Sequence, residues 1–152
     1  IRASDWSSDV CSSDLSYQES DADVKRLFET AKAAKENSYS PYSHFRVGAA
    51  VLCKDGTIVG GANIENCSYP CGICAERNAI FACAAQGHRD MVAVLITSDL
   101  ENDFCAPCGV CRQVIAEFGN LEVILAKAGG ETKRMHISDL LPMAFTPADL
   151  TK

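Results

Sequence analysis

Residues 73–86 read ICAERNAIFACAAQ and residues 106–119 read APCGVCRQVIAEFG. Each stretch places cysteine just ahead of an apolar run at helical spacing, and each run meets a glycine, Gly87 or Gly119, that suits the end of a helix. The spacing therefore predicts helices over 74–86 and 109–118. Between and after them lie short apolar runs at 91–97 and 121–126, of strand length, and a weaker one at 132–137 before Pro142. Upstream, the β-branched and apolar runs 46–53 and 57–63 flank Asp55-Gly56, a dipeptide that tolerates positive φ and signals a hairpin. Further out, Val24, Leu27, Phe28, Ala31 and Ala34 recur at helical spacing and predict an amphipathic helix over 21–37. Pro41 and several serines make SYSPYSHF, 38–45, a loop. The order α-β-β-α-β-α-β-β implies an α/β fold, a single mixed sheet with helices on both faces.

The chain has 152 residues, 47% hydrophobic and 22% charged, which suits one globular domain with a substantial core. Residues 1–16 are rich in Ser and Asp, contain the near-duplicate SSDV and SSDL, and show no usable period. They read as a disordered leader outside the domain of residues 17–152, the alternative being a short acidic interaction tail. No apolar run approaches the roughly 18 residues of a membrane span, and the first residues lack the pattern of a secretory signal. A cytoplasmic protein without a membrane partner is expected. With 14 basic against 20 acidic residues the net charge is -6, which argues against a nucleic acid polymer, since phosphate backbones are bound by Lys and Arg. A small, weakly charged substrate suits this balance better.

Nine cysteines, an odd number without an export signal, argue for metal ligands and buried thiols rather than a disulfide framework. Cys108 and Cys111 are spaced to share one face of a first helical turn, and Cys74 at the mouth of the other helix can supply a third thiolate. Three protein ligands leave zinc one position for water, as in catalytic sites. Helix N-termini offset the negative charge of such a cluster. Arg77 is placed to donate to the cysteine sulfurs, or else is a solvated surface charge. Glu76, two residues from a ligand, is placed to move protons; alone it would be read as an ordinary first-turn glutamate. Cys71 and Cys74 form a second C-x-x-C, so a closed four-thiolate site is the rival reading. The gap between the pairs exceeds the roughly 15–20 residues of a zinc ribbon.

The cysteine motifs match the pattern H-x-E…P-C-x-x-C of zinc deaminases, with Cys in the first position. Beyond them, 40–50, 63–70, 73–81, 106–119 and 140–150 resemble the small homotetrameric cytidine deaminases. The resemblance implies hydrolytic deamination of free cytidine and deoxycytidine in pyrimidine salvage. It implies one zinc ion per subunit on Cys74, Cys108 and Cys111, with Glu76 as catalytic proton carrier. It further implies that Phe45 stacks on the pyrimidine, that Asn63 and Glu65 hold the ribose hydroxyls, and that the Ala75 N–H meets the ring carbonyl. Tyr69 and Phe145 would reach a neighbouring subunit's site in a homotetramer with shared active sites. Plain packing roles stand beside these: Phe45 as a core aromatic, Asn63 and Glu65 as turn formers, Tyr69 and Phe145 as interface residues. The chain departs from the family at Arg46, where Pro is common, at Cys67 and at Cys71.

Overall fold

The computed structural model describes residues 20–151; the leader expected over 1–16 lies outside them. Helix α1, Asp21–Lys35, starts where Ser20 accepts from the Asp23 N–H and the Asp23 carboxylate accepts back from the Ser20 N–H, a reciprocal cap. Asp21 and Asp23 sit in its first turn, Lys32 and Lys35 in its last, both matched to the helix dipole. Strands β1, Val47–Cys53, and β2, Ile58–Ala62, form the expected hairpin, with Gly56 at φ +87° in its turn. Helix α2, Ala75–Ala85, leads to β3, Met91–Ser98; helix α3, Gly109–Glu117, leads to β4, Glu122–Ala126, and β5, Thr132–His136, closes the sheet.

The five strands lie in the order β2-β1-β3-β4-β5, with β3 and β4 parallel and every other neighbouring pair antiparallel. This is the single mixed sheet read from the sequence. Alternation along the strands splits the core in two. Ala50, Leu52, Ala93, Leu95 and Ile124 pack against Leu27 and Ala31 of α1. Val51, Val94, Ile96 and Val123 face Ala79 and Ile80 of α2 and Ile115 of α3. Helices thus cover both faces, and α2 and α3 share one.

The helices end slightly earlier than their periodicity suggested. The Gly87 N–H bonds to the Ala84 carbonyl and the His88 N–H to the Cys83 carbonyl, a glycine-terminated cap that leaves Gln86 as its last half-helical residue. At the far end, α1 stops at Lys35 and tightens through a turn at Glu36 and Asn37. Ile137 closes no strand; it opens a short helix α4, Ile137–Leu140, in which the Asp139 carboxylate accepts from the His136 N–H. A 3-10 segment, Pro147–Thr151, follows. Neither short helix has enough periodic positions to show in sequence.

Two glycines set how closely the layers approach. A Cβ on Gly48 would lie 2.0 Å from the Ala31 carbonyl oxygen, and one on Gly61 would lie 2.4 Å from the Ala79 nitrogen. The first admits α1 to one face of the sheet, and the second admits α2 to the other.

Candidate metal and substrate site

Cys74 and Cys108 are the N-cap residues of α2 and α3, and Cys111 lies in the first turn of α3. Their sulfurs all lie within 4.8 Å of one another, with Cys74 and Cys108 3.8 Å apart. Neither cap residue uses its side chain to cap its own helix, so both sulfurs are free to face the cluster. Cys71, the extra member of the C-x-x-C pair, is exposed and stands outside this group. The chain thus brings together the three-sulfur set and not the four-sulfur one.

The donor set fits a zinc ion. Hydrogen bonding with Cys111, followed by that with Arg77, brings the Cys74 thiol down to about 5. The same contact with Cys74, together with burial, pushes the Cys111 thiol up. Arg77 donates to the Cys74 sulfur at 3.5 Å, and its own pKa is raised chiefly by that contact. Its Nε is buried without a hydrogen-bond partner among the described residues. A partly buried cation turned toward sulfurs suits a cluster that carries negative charge when metallated.

Glu76 is almost fully buried on the first turn of α2, only 4% exposed. Loss of water pushes its carboxyl above the ordinary glutamate value, and the charge on Cys74 adds to the effect. An acidic side chain in a first turn usually points to solvent, so burial here sets Glu76 apart from the ordinary helix glutamate. Ala75, the first residue of α2, is fully buried, and its N–H is among the first-turn donors that no intrahelical acceptor satisfies.

Of the other predicted residues, Asn63, Glu65 and Tyr69 gather beside Cys74 through a short run of backbone pairing, while Phe45 and Phe145 do not line the cleft formed there. Ile64 exchanges two hydrogen bonds with Ile73, the residue before Cys74, while Tyr39 bonds to Asn63 and Glu65 on either side of Ile64. A cleft of about 550 Å³ opens here, lined by Tyr42, Asn63, Glu65, Tyr69, Cys74 and Arg77 among others. Phe45 is 40% exposed, which excludes a core aromatic. Tyr69 meets Tyr42 edge-on, with ring centres 5.9 Å apart. Phe145 is exposed, and its carbonyl accepts from the Gln113 amide.

Asn63 and Glu65 also hold the loop before β1, a use not legible in their spacing. The Asn63 Oδ1 accepts from the Val47 N–H at 2.9 Å and from the Ser38 hydroxyl, and its Nδ2 donates to the Phe45 carbonyl at 2.8 Å. Glu65 accepts from the Tyr42 and Ser43 N–H groups at 2.9 and 3.2 Å and from the Ser43 hydroxyl. These bonds, led by the Ser43 hydroxyl, keep its carboxyl below the ordinary range. Ser43 and Asn78, whose Nδ2 donates to the Ala62 carbonyl at 2.7 Å, were missed as site builders. The serine-rich loop was the only signal for the first, and Asn78 had none.

Comparison with known proteins agrees with this architecture. Residues 21–127 match the family model described as the cytidine and deoxycytidylate deaminase zinc-binding region. The chain is 45% identical over 130 residues to the cytidine deaminase of Halalkalibacterium halodurans, covering 84% of this chain and 98% of that one. It is 38% identical over 128 residues to the probable cytidine deaminase of Dictyostelium discoideum, covering 84% and 87%. The crystal structure of cytidine deaminase from Burkholderia pseudomallei superposes with a TM-score of 0.75 at 44% identity, over 80% of this chain and 98% of that one.

Proposed function

The chain belongs to the cytidine and deoxycytidylate deaminase family, and from that footing we propose that it hydrolyses free cytidine and deoxycytidine to uridine and deoxyuridine, releasing ammonia. The observation that carries the proposal is the meeting of Cys74, Cys108 and Cys111 at two helix tips, with the carboxyl of Glu76 buried on the first turn beside them.

Zinc, held by Cys74, Cys108 and Cys111, would supply the Lewis acidity that makes water nucleophilic near neutral pH. Glu76 takes a proton from the attacking water and passes it to the ring nitrogen beside carbon 4. Glu76 then takes the remaining proton from the oxygen now bonded to carbon 4 and passes it to the amine. The amine leaves as ammonia as its bond to carbon 4 breaks and the carbonyl forms. A carboxyl raised by burial releases a proton less readily than a solvated one, which suits a group that must accept and return it within one cycle. Arg77 holds the Cys74 sulfur in its charged form. The Ala75 N–H meets the ring carbonyl, Phe45 stacks on the ring, and Asn63 and Glu65 hold the sugar hydroxyls. Asn63 keeps one amide hydrogen beyond the one given to Phe45, and Glu65 faces the cleft, so both retain bonding capacity for a sugar.

We infer also that the active form is a homotetramer with shared sites, in which Tyr69 and Phe145 reach toward a neighbour's substrate. Phe81 on α2 and Val110 on α3 are exposed, as are Met143, Phe145 and Leu150 near the C-terminus. So much exposed apolar surface suits burial between subunits. A cytoplasmic setting and a role in pyrimidine salvage accompany this reading, and no described helix is long and apolar enough to cross a membrane.

The direct test is the loss of cytidine absorbance on deamination, followed with and without a zinc chelator. Turnover abolished by the chelator and restored by zinc is expected. Turnover indifferent to the chelator, or none with either nucleoside, would overturn the proposal.

A further inference from the structure

The loop that ends on Phe45 is held from three directions. Glu65 gathers the backbone at Tyr42 and Ser43, and Asn63 takes the Phe45 carbonyl and the Val47 N–H. The third hold comes from Arg46. Its Nε donates to Asp99 Oδ2 at 2.8 Å and a terminal nitrogen to Asp99 Oδ1 at 3.0 Å, while the other terminal nitrogen reaches Glu36 at 3.1 Å. Asp99 also accepts from Lys35 Nζ at 2.7 Å, and that lysine side chain is only 7% exposed.

Asp99 directly follows β3 and begins the connection, 99–107, that ends on Cys108. One carboxylate therefore joins the end of α1, the entry to β1 and the approach to a metal-site cysteine. The strand register gives the direction of the hold. In β1 the even positions, Ala50 and Leu52, face α1, and the odd ones, Val47, Ala49 and Val51, face α2 and α3. Arg46, drawn to Lys35's partner and to Glu36, continues the even row. Phe45 lies just ahead of the strand, and its carbonyl is held by Asn63, which lines the cleft beside Cys74.

We propose that Arg46 is a positioning residue, whose two-pronged pairing with Asp99 sets Phe45 at the ring-binding face. The inference rests on the stacking role proposed for Phe45. It explains how the chain accepts an arginine where its family commonly has proline: a rigid φ is replaced by a fork that grips the neighbouring strand end. Lysine cannot make the two parallel bonds, so it replaces arginine only in part.

The test compares KM and kcat for cytidine in Arg46→Gln, Arg46→Lys and Phe45→Ala, with zinc content and uridine affinity by calorimetry measured on the same preparations. Arg46→Gln should raise KM about five- to tenfold, weaken uridine binding in parallel and leave kcat within about twofold. Arg46→Lys should fall between. Cytidine is uncharged at neutral pH, so salt acts on the ion pair and not on the substrate. Between about 0.01 and about 1 M salt the screening length falls from about 30 to about 3 Å, and the parent's KM should rise while that of Arg46→Gln stays level. A KM unchanged in Arg46→Gln but raised in Phe45→Ala would overturn the inference and leave the Phe45 role standing. A KM unchanged in Phe45→Ala would overturn both. Should Arg46→Gln not accumulate as folded protein, a parent KM that is flat with salt overturns the inference and a rising one upholds it.

Discussion

The Arg77 guanidinium donates to the Cys74 sulfur at 3.5 Å, from the same turn of α2 that the cysteine caps. A three-thiolate zinc site carries net negative charge, and this contact lowers that charge at the sulfur. Replacing Arg77 by Ala should therefore weaken zinc binding about 10- to 100-fold, the range for lost outer-shell partners. Competition against a colorimetric chelator measures it. Zinc affinity equal to that of the parent would show that the contact does not tune the site.

Glu76→Gln keeps the size of the side chain and removes its capacity to carry protons. Because burial already favours the neutral form of Glu76, the amide should fit without disturbing α2. We expect zinc content unchanged and kcat lower by about 10²- to 10⁴-fold, the contribution of general acid–base catalysis. Metal analysis alongside steady-state kinetics reads both. A zinc-loaded variant with parental turnover would remove Glu76 from the mechanism.

The rival four-thiolate site makes a separate demand. Cys71 is exposed and outside the three-sulfur group, so Cys71→Ser should keep one zinc per chain, while Cys74→Ser should lose most of it. Equal losses in the two variants would restore the closed-site reading.

Much of this fold is legible because local signals agree with the global arrangement. Gly87 and Gly119, both with positive φ, end the helices that carry Cys74 and Cys111, and Asp55-Gly56 turns the hairpin. The metal cluster was legible for a similar reason: helix caps and C-x-x-C spacing are local facts. The joint around Asp99 was not. Lys35, Glu36, Arg46 and Asp99 come from α1, the entry to β1 and the end of β3, and no periodicity announces a carboxylate shared across elements. The same holds for Asn63 and Glu65, whose backbone-holding bonds depend on where a loop 16 to 23 positions upstream happens to lie.

Close approach of α1 to the sheet depends on Gly48. A methyl group there would meet the Ala31 carbonyl oxygen at 2.0 Å and the Lys35 Cβ at 2.8 Å, both parts of a packed helix. Gly48→Ala must push α1 outward, at a cost of about 1–3 kcal/mol or more for overpacking. At about 2–4 °C per kcal/mol for a chain of this size, the melting temperature should fall by roughly 2–12 °C. Gly129→Ala, where a Cβ would meet nothing within 4 Å, serves as the control. Equal melting temperatures for the two variants would mean that the layers give way freely.

Acid should act on the joint at Asp99. Pairing with Arg46 first, and then with Lys35, holds its carboxyl at about 2 against an ordinary value of 3.8. A pKa depressed by folding contributes stability that is complete above the unfolded value and is lost as pH falls through the folded one. The parent should therefore lose this contribution between about pH 4 and about pH 2, and Asp99→Asn, having none to lose, should show a shallower decline there. At neutral pH the variant should be the less stable, because the buried Lys35 ammonium loses its counter-ion. The half-exposed carboxylate keeps the effect modest, since water and salt screen it. Urea midpoints of both proteins across that range decide the matter: parallel curves would show that the Asp99 pairing adds nothing to the fold.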